Sequence, residues 1–349
     1  MNVYTLDPVT KNGRDLIENY KSLIWNEKYA DVGNFELIIA PNHPLALDLV
    51  PGTMLASTES QRLVIIRKVE RTTDPDGATL LKITGQTMES LLGDRVIFQG
   101  FEPEPLTYSG PLGDIIKRLA ARALGSNAYD AADRIKNIRV LDNTTDNESM
   151  TVEVKTGSFL ETLKSLCAIK RFGFIFRPNS DDGYTFTIEQ MTVRRNIKFS
   201  TLDGTLRSPR YVIDESDYKN VAYVTAKDHS ALWIVSRKVS LNVSGFDRRV
   251  LYVEASDVDP ANYSSTSELR KVLHARGQSA LSEHQRIIYV DGDISEDDRY
   301  TYFDDYYLGD LVEFTGFMNT TNDAQIVEYT WVSDERGIRS YPTYQLLED

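Results

Sequence analysis

Cysteine is nearly missing from this sequence: Cys167 is the only one in 349 residues. That excludes an intrachain disulfide and a zinc site built on cysteines. Its neighbours Leu163, Leu166 and Ala168 have helical spacing, so the thiol reads as a small buried apolar group. Histidine is scarce as well. His43, His229, His274 and His284 form no HExxH and no i, i+4 pair, and His274 and His284 fall about 80° apart around a helix, which argues against a metal site. No apolar run approaches the roughly 18 to 20 residues needed to span a bilayer. The opening residues Met1 to Pro8 lack the basic start and apolar core of a secretory signal, so synthesis in the cytosol is expected. There is no GxxxxGK[ST], no GxGxxG after a strand and no GxSxG, and the phosphate-loop and α/β-hydrolase readings fall together. A basic surplus is missing too. With 52 acidic against 39 basic residues the net charge is -13, which opposes tight binding to nucleic-acid phosphates.

What is present is mostly strand-like, and the length suggests two or three cores. Tyr20 to Ile39 places Trp25, Tyr29 and Phe35 around Gly33, with Phe35, Leu37 and Ile39 on one side of an alternating strand. Trp25, Tyr29 and Phe35 are expected to pack together. Ala30 to Gly33 reads as a turn in which glycine supplies a positive φ. Leu63 to Val69 and Thr79 to Thr84 should pair as a hairpin across Thr73 to Gly77, and Thr87 should cap a short helix ended by Gly93. Phe101 to Pro105 is a candidate boundary. Leu112, Ile115, Ile116 and Leu119 then mark a helix between Pro111 and Gly125. Ile135 to Leu141 is a candidate strand, and Asp142 to Asn147 a loop.

A second helix starts at a Ser158/Glu161 capping box, with Phe159, Leu160, Leu163, Leu166 and Cys167 as its buried face. Phe172 to Arg177 and Tyr184 to Ile188 flank Asp181-Asp182-Gly183 as a hairpin. Tyr218 to Thr225, Leu232 to Val243 and Val250 to Val253 are further strands. A helix of about 265–286 begins at Ser265/Glu268 and carries Leu269, Val272, Leu273 and Leu281, with Gly277 weakening it by roughly 1 kcal/mol. Gly309 and Asp310 should turn the chain into Leu311 to Phe314, a strand edge in need of a partner. Asp291, Asp293, Glu296, Asp297 and Asp298 lack EF-hand spacing, since Gly292 comes too early, and read as a solvated acidic turn. The 19 tyrosines mostly alternate within strands, where they suit a half-buried pleated surface.

Three stretches carry a family resemblance. Leu23-Ile24-Trp25-Asn26, Lys28-Tyr29 and Gly33-Asn34-Phe35-Glu36-Leu37 resemble the opening signature of the siphophage tail-hub proteins, the Gp37-like minor tail proteins. Gly85 followed by a short helix and Arg95-Val96-Ile97, and the later helix followed by Gly173 among aromatics, are similar to its first domain's exit and its middle domain. Tyr306-Tyr307-Leu308-Gly309-Asp310-Leu311-Val312, then Ile326-Val327-Glu328 and Arg339 to Tyr344, resemble its closing β region. The motif positions are Trp25, Tyr29, Gly33, Phe35, Leu308, Gly309 and Asp310.

The resemblance implies an α+β, mainly β fold with two barrel-like β domains and an α/β insertion, like the baseplate hub of long-tailed phages. The corresponding division is 1–100, 101–200 and 201–349. It implies a structural homotrimer at the virion tail tip, made in the host cytoplasm, which joins the sixfold tube to the threefold tip and lets the genome pass. Partners would be the distal tail protein ring, the tape-measure protein and receptor-binding or tip proteins, with no cofactor, no catalytic or metal residue, no specific nucleic-acid binding and no stable membrane insertion. The alternative is a tail protein that binds host-surface carbohydrate or degrades the cell wall, for which no pair of carboxylates stands out.

Overall fold

The structure, a computed structural model, describes residues 1–7, 10, 12–73, 77, 79–98, 100, 106–179, 183–200, 202–237, 243–294, 299–315 and 321–347, with backbone alone at 208 and 291–294. The boundary at Phe101 to Pro105, most of the hairpin turn at Asp74 to Asp76, Asp181-Asp182 and the acidic residues Glu296 to Asp298 lie outside the described residues. Two compact units result. One comprises Met1–Gly100, Thr107–Arg210 and Val290–Asp349; the other, Phe101–Leu106 and Tyr211–Tyr289. Among the described residues no helix is long and apolar enough to cross a membrane.

The first unit is organised on a sheet of thirteen strands. From one end, its order is Leu206–Asp214, Ile287–Ile294, Gly337–Leu346, Thr321–Asp334, Ser22–Lys28, Asn34–Ile39, Thr79–Thr87, Val64–Thr73, Met54–Ser57, Val3–Leu6 and Gly13–Ile17. Leu311–Thr315 lies alongside, between Val193–Ser200 and Thr321–Asp334. The expected alternation holds, for Phe35, Leu37 and Ile39 are buried and Glu36 and Ile38 half-buried. The expected hairpin is also there, as Val64–Thr73 pairs antiparallel with Thr79–Thr87.

One expected detail is unconfirmed and one expectation needs correction. No closed sheet is found among the described residues, so the mainly β fold stands and its barrel-like detail is not confirmed. Leu311–Thr315 is not an open edge, because it has a strand on each side. The long strand Thr321–Asp334 explains how Leu311–Thr315 is covered. Its first residues pair with Leu311–Thr315, its register shifts between Ile326 and Glu328, and its later residues pair with Ser22–Lys28. An extra residue at such a shift bends a strand and lets it change partners.

Within the same unit, a three-stranded sheet places Tyr184–Gln190 between Phe172–Pro178, antiparallel, and Ile138–Asn143, parallel. Asp142 and Asn143 therefore end a strand rather than begin a loop. Helices α1 (Leu112–Ala123) and α2 (Phe159–Lys170) pack with it. All four apolar positions that marked α1 are buried, and the Ser158 hydroxyl accepts from the Glu161 N–H at the start of α2. Cys167 is buried, and burial pushes its thiol above the ordinary range. Thr87 does not cap the turn after it; its hydroxyl instead accepts from the Gly33 N–H at 2.9 Å.

Gly33 itself has no positive φ. It is needed for close approach, since a Cβ there would fall on the Asn26 carbonyl oxygen and stand 2.8 Å from the Thr87 methyl.

The second unit is smaller. Val221–Ala226 pairs antiparallel with Leu232–Ser236 and parallel with Val250–Ala255, and α3 (Thr266–Glu283) covers one side through Leu269, Leu273 and Leu281. The first strand begins three residues later than its sequence pattern suggested and the third runs two residues further, while residues 238–242 of the second lie outside the described set. Ser265 caps α3 by accepting from the Glu268 N–H at 3.2 Å. Gly277 has a different role from that expected. A Cβ there would lie 2.6 Å from Val235 Cγ2 and 2.9 Å from Val224 Cγ2, so the missing side chain sets how closely helix and sheet approach. Gly277→Ala should therefore lower stability by about 1 to 3 kcal/mol, because overpacking outweighs alanine's helix preference. Urea unfolding checks this; a stabilised variant would show that α3 has room to spare.

Candidate functional site

The motif positions at the two ends of the sequence come together where Thr321–Asp334 changes partners. Trp25 lies opposite Phe35 on one neighbouring strand and Trp331 on the other. Its ring meets Phe35 edge-on at 5.7 Å and 84°, and both are buried. Trp25 Nε1 donates to Glu27 Oε1 at 3.3 Å. Tyr29 does not join the Trp25–Phe35 pair as expected. Its ring fills the space left by two glycines, Gly173 and Gly309, where any Cβ would collide with Cε2. Its hydroxyl donates to the Glu189 carbonyl at 2.9 Å, and burial, with the Glu189 charge adding, pushes the phenol well above its ordinary range.

Backbone bonds lock this joint. Tyr29 N donates to Val327 O at 2.9 Å, Gly309 N to Ile326 O at 2.7 Å, and Ile326 N to Asp310 O at 3.0 Å. Gly309 has φ +94, a backbone that favours glycine, quite apart from the contact with Tyr29. The Asp310 carboxylate accepts from Tyr307 N at 2.9 Å and pairs with Arg194; its burial outweighs both and raises its pKa. Leu308 lines the adjoining cleft, which encloses about 330 Å³. Aromatic rings back it, with Tyr302 stacked on Tyr329 at 3.9 Å and 8°.

Three charged residues that the sequence reading missed belong to this place: Glu27 and Arg62 line the cleft, and Glu89 pairs with Arg62. Arg62 and Glu89, both buried, approach to 2.7 Å, and Glu89 Oε1 accepts from Phe176 N at 3.0 Å. Glu27, also buried, accepts from the Ser60 hydroxyl. Burial pushes the Glu27 carboxyl up to about 7, although Arg62, Ser60 and Trp25 pull it down. Burial also works against the Arg62 charge, but Glu89, Glu27 and Glu189 outweigh it and hold the guanidinium above its ordinary value. The only signal in sequence was the setting: a charge beside Trp25-Asn26, another directly before Leu63-Val64-Ile65-Ile66, and a third inside Met88-Glu89-Ser90-Leu91-Leu92.

A pH effect follows from Glu27. Its folded carboxyl is raised, so between the unfolded value near 4.3 and about 7 the folded chain holds the extra proton, and stability falls as pH rises through that window. Glu27→Gln mimics the neutral acid. Its stability relative to the parent should rise by about 2 to 3 kcal/mol between about pH 5 and about pH 8, as read from denaturant midpoints. A pH-independent difference would show that Glu27 is already ionised at pH 5.

Other charged side chains of the cleft pair with one another, Arg194 with Asp310 and Arg177 with Glu189. Arg177 pairs with Glu189 at 2.8 Å and donates to Gln61 at 2.7 Å, so the charges at its mouth are tied to the wall. Among the described residues no three His, Cys, Asp or Glu side chains cluster as metal ligands. His43 is bound to Glu18 O, His229 to Tyr252 and His284 to Asp217.

No curated protein matches the sequence. Several solved structures share the fold over its whole length. The tail protein from Neisseria meningitidis MC58 is 13% identical with a TM-score of 0.59, covering 100% of this chain and 97% of that one. The 43 kDa tail protein of prophage MuSo2 from Shewanella oneidensis is 12% identical, TM-score 0.59, covering 100% and 98%. The prophage tail protein gp18 from Listeria monocytogenes EGD-e is 12% identical, TM-score 0.52, covering 99% and 94%. At such identities the likeness is one of fold alone. The family model described as siphovirus ReqiPepy6 Gp37-like protein matches residues 3–343, and the chain, carrying that family's pattern from end to end, belongs to this family.

Proposed function

We propose that the chain is a structural hub subunit of a phage tail tip. Three copies form a ring that joins the sixfold tube to the threefold tip and lets the genome pass, with 1–100 and 201–349 supplying its β domains and 101–200 lying between them. The ring's neighbours are the distal tail protein, the tape-measure protein and the tip or receptor-binding proteins. The observation that carries this reading is the family match over residues 3–343, on a fold shared along its length with phage tail proteins. The joint around Tyr29 supports it physically. It ties the first forty residues to the last forty in one hydrogen-bonded sheet, a construction suited to bearing load. The net charge of -13 fits a bore lined by carboxylates, along which DNA slides instead of being held by counterion release.

Imaging of assembled tails tests the reading. Three copies around the tail axis, with a net acidic inner surface, are expected. Two or four copies overturn the ring, and a continuous belt of Lys and Arg around the axis overturns the sliding bore.

A further inference from the structure

The cleft beside Leu308 is lined by polar groups that the joint leaves unengaged. Gln61 and Gln190 each have the side-chain oxygen occupied, the first by Arg177 at 2.7 Å and the second by Thr145 N and Oγ1 at 2.8 and 3.0 Å. That sets the direction of each amide and leaves its NH2 group without a partner among the described residues. The exposed side chains of Asn143 and Thr192, also in the lining, have none there either. Glu189 gives one carboxylate oxygen to Arg177, and its other oxygen has no partner among the described residues. Donors and an acceptor therefore stand close together on supports that already hold them.

Part of the wall is aromatic, and one residue of it is strained. Phe303 has φ +75, a backbone that a bulky side chain rarely adopts. Its N–H donates to Tyr306 O at 2.9 Å, and its ring lies 4.1 Å from that of Tyr302. Both rings line the cleft. Strain of this kind gathers at ligand clamps, where the surrounding contacts hold a residue ready for use.

Charge and size narrow the class of ligand. Arg177, Arg194 and Arg62 are each paired with a carboxylate, Glu189, Asp310 and Glu89 in turn, so among the described residues the cleft holds no surplus cation for an anionic ligand. An apolar ligand would seal the unpartnered NH2 and hydroxyl groups away from water, which costs more than it gains. The lining suits an uncharged molecule rich in hydroxyls, which both donate and accept, with a C–H face to lie against the rings. A volume of about 330 Å³, near the lower bound of about 300 Å³ for ligand pockets, suits a single ring and not a long chain.

We propose that this cleft binds one neutral pyranose sugar, hydrogen-bonded by Gln61, Asn143, Glu189 and Gln190, with the Phe303 ring against its C–H face. The proposal rests on the cleft and not on the threefold ring, so the copy number of the chain in tails does not bear on it. Glucose, galactose, mannose and N-acetylglucosamine, with glucuronic acid as the charged control, are each titrated into the purified chain and followed by saturation-transfer NMR. At least one neutral sugar should saturate with a Kd of the order of a few millimolar, as suits a ligand of about a dozen heavy atoms, and glucuronic acid should bind about tenfold more weakly. Asn143→Ala changes an exposed position, so it should keep the unfolding midpoint and weaken binding about five- to tenfold, the loss of one hydrogen bond. Phe303→Gly removes the ring at a backbone that glycine adopts freely, and should abolish saturation; should that variant fail to fold, Asn143→Ala alone decides. No saturation by any of the four sugars, glucuronic acid binding as tightly as they do, or unchanged binding in a folded variant overturns the proposal. So does a segment of another tail protein filling the cleft in assembled tails.

Discussion

Trp25→Ala is expected to destabilise the folded chain by about 3 to 5 kcal/mol, the range for removing a large aromatic from a packed core. Trp25 is fully buried at a point where three strands meet: Phe35 lies edge-on to it, Trp331 faces it across the other neighbour, and its indole N–H is bound to Glu27. Truncation leaves a cavity that strand backbone on both sides resists closing, and it removes one of the donors that ease the burden of a buried carboxyl. Trp25→Phe separates the two effects. It keeps much of the volume while losing the N–H, so it should cost less than alanine and should raise the Glu27 pKa further. Denaturant midpoints of the two variants check this. A Trp25→Ala chain that unfolds at the parental midpoint but no longer joins its tail partners would make Trp25 an anchor for binding instead.

Features that depend on neighbours in sequence were legible, and those that depend on neighbours in space were not. The i, i+3, i+4, i+7 spacing of Leu112, Ile115, Ile116 and Leu119 fixed α1, and Ser158 and Ser265 began α2 and α3 because a side-chain oxygen three residues ahead of a free N–H is a local arrangement. By contrast, nothing near Ser22–Lys28 announces that its partner is Thr321–Asp334, almost the length of the chain away, because strand pairing is chosen by packing on the finished sheet. The glycines show the same divide. Gly33 and Gly277 look like a turn residue and a helix weakness, yet each is required by an atom from another segment, the Asn26 carbonyl in one case and the Val235 side chain in the other. The motif aromatics were found by resemblance, but Tyr29 could not be separated from Trp25 without seeing Gly173 and Gly309 leave room for its ring. The charges of Glu27, Arg62 and Glu89 were the hardest to find, since each, met alone in the sequence, looks like an ordinary surface residue.

Those charges carry the second large effect. Arg62→Ala should cost about 3 to 5 kcal/mol near neutral pH, because it leaves carboxyl groups buried without their cation, the damaging way to break a buried pair. The loss should depend on pH in a particular direction. With Arg62 gone, Glu27 loses the charge that most opposes its burial, and only the Ser60 and Trp25 hydrogen bonds still hold its carboxyl down, so it rises further. Folded carboxyls raised above their unfolded values make the native state hold more protons, so stability falls as pH rises through the window between the two. The variant should therefore be least stable near about pH 8 and recover part of the loss near about pH 5. Glu89→Gln provides the contrast. It can still accept from Phe176 N, it removes one negative charge, and it leaves the Arg62 charge to attract Glu27, whose carboxyl should then drop below about 7. Its cost should accordingly be smaller than that of Arg62→Ala and should not grow with pH. Denaturant midpoints of both variants at the two pH values decide the matter. An Arg62→Ala chain equally destabilised at both would mean that the carboxyls reach water once the guanidinium is gone, and that Arg62 holds the joint closed by filling space.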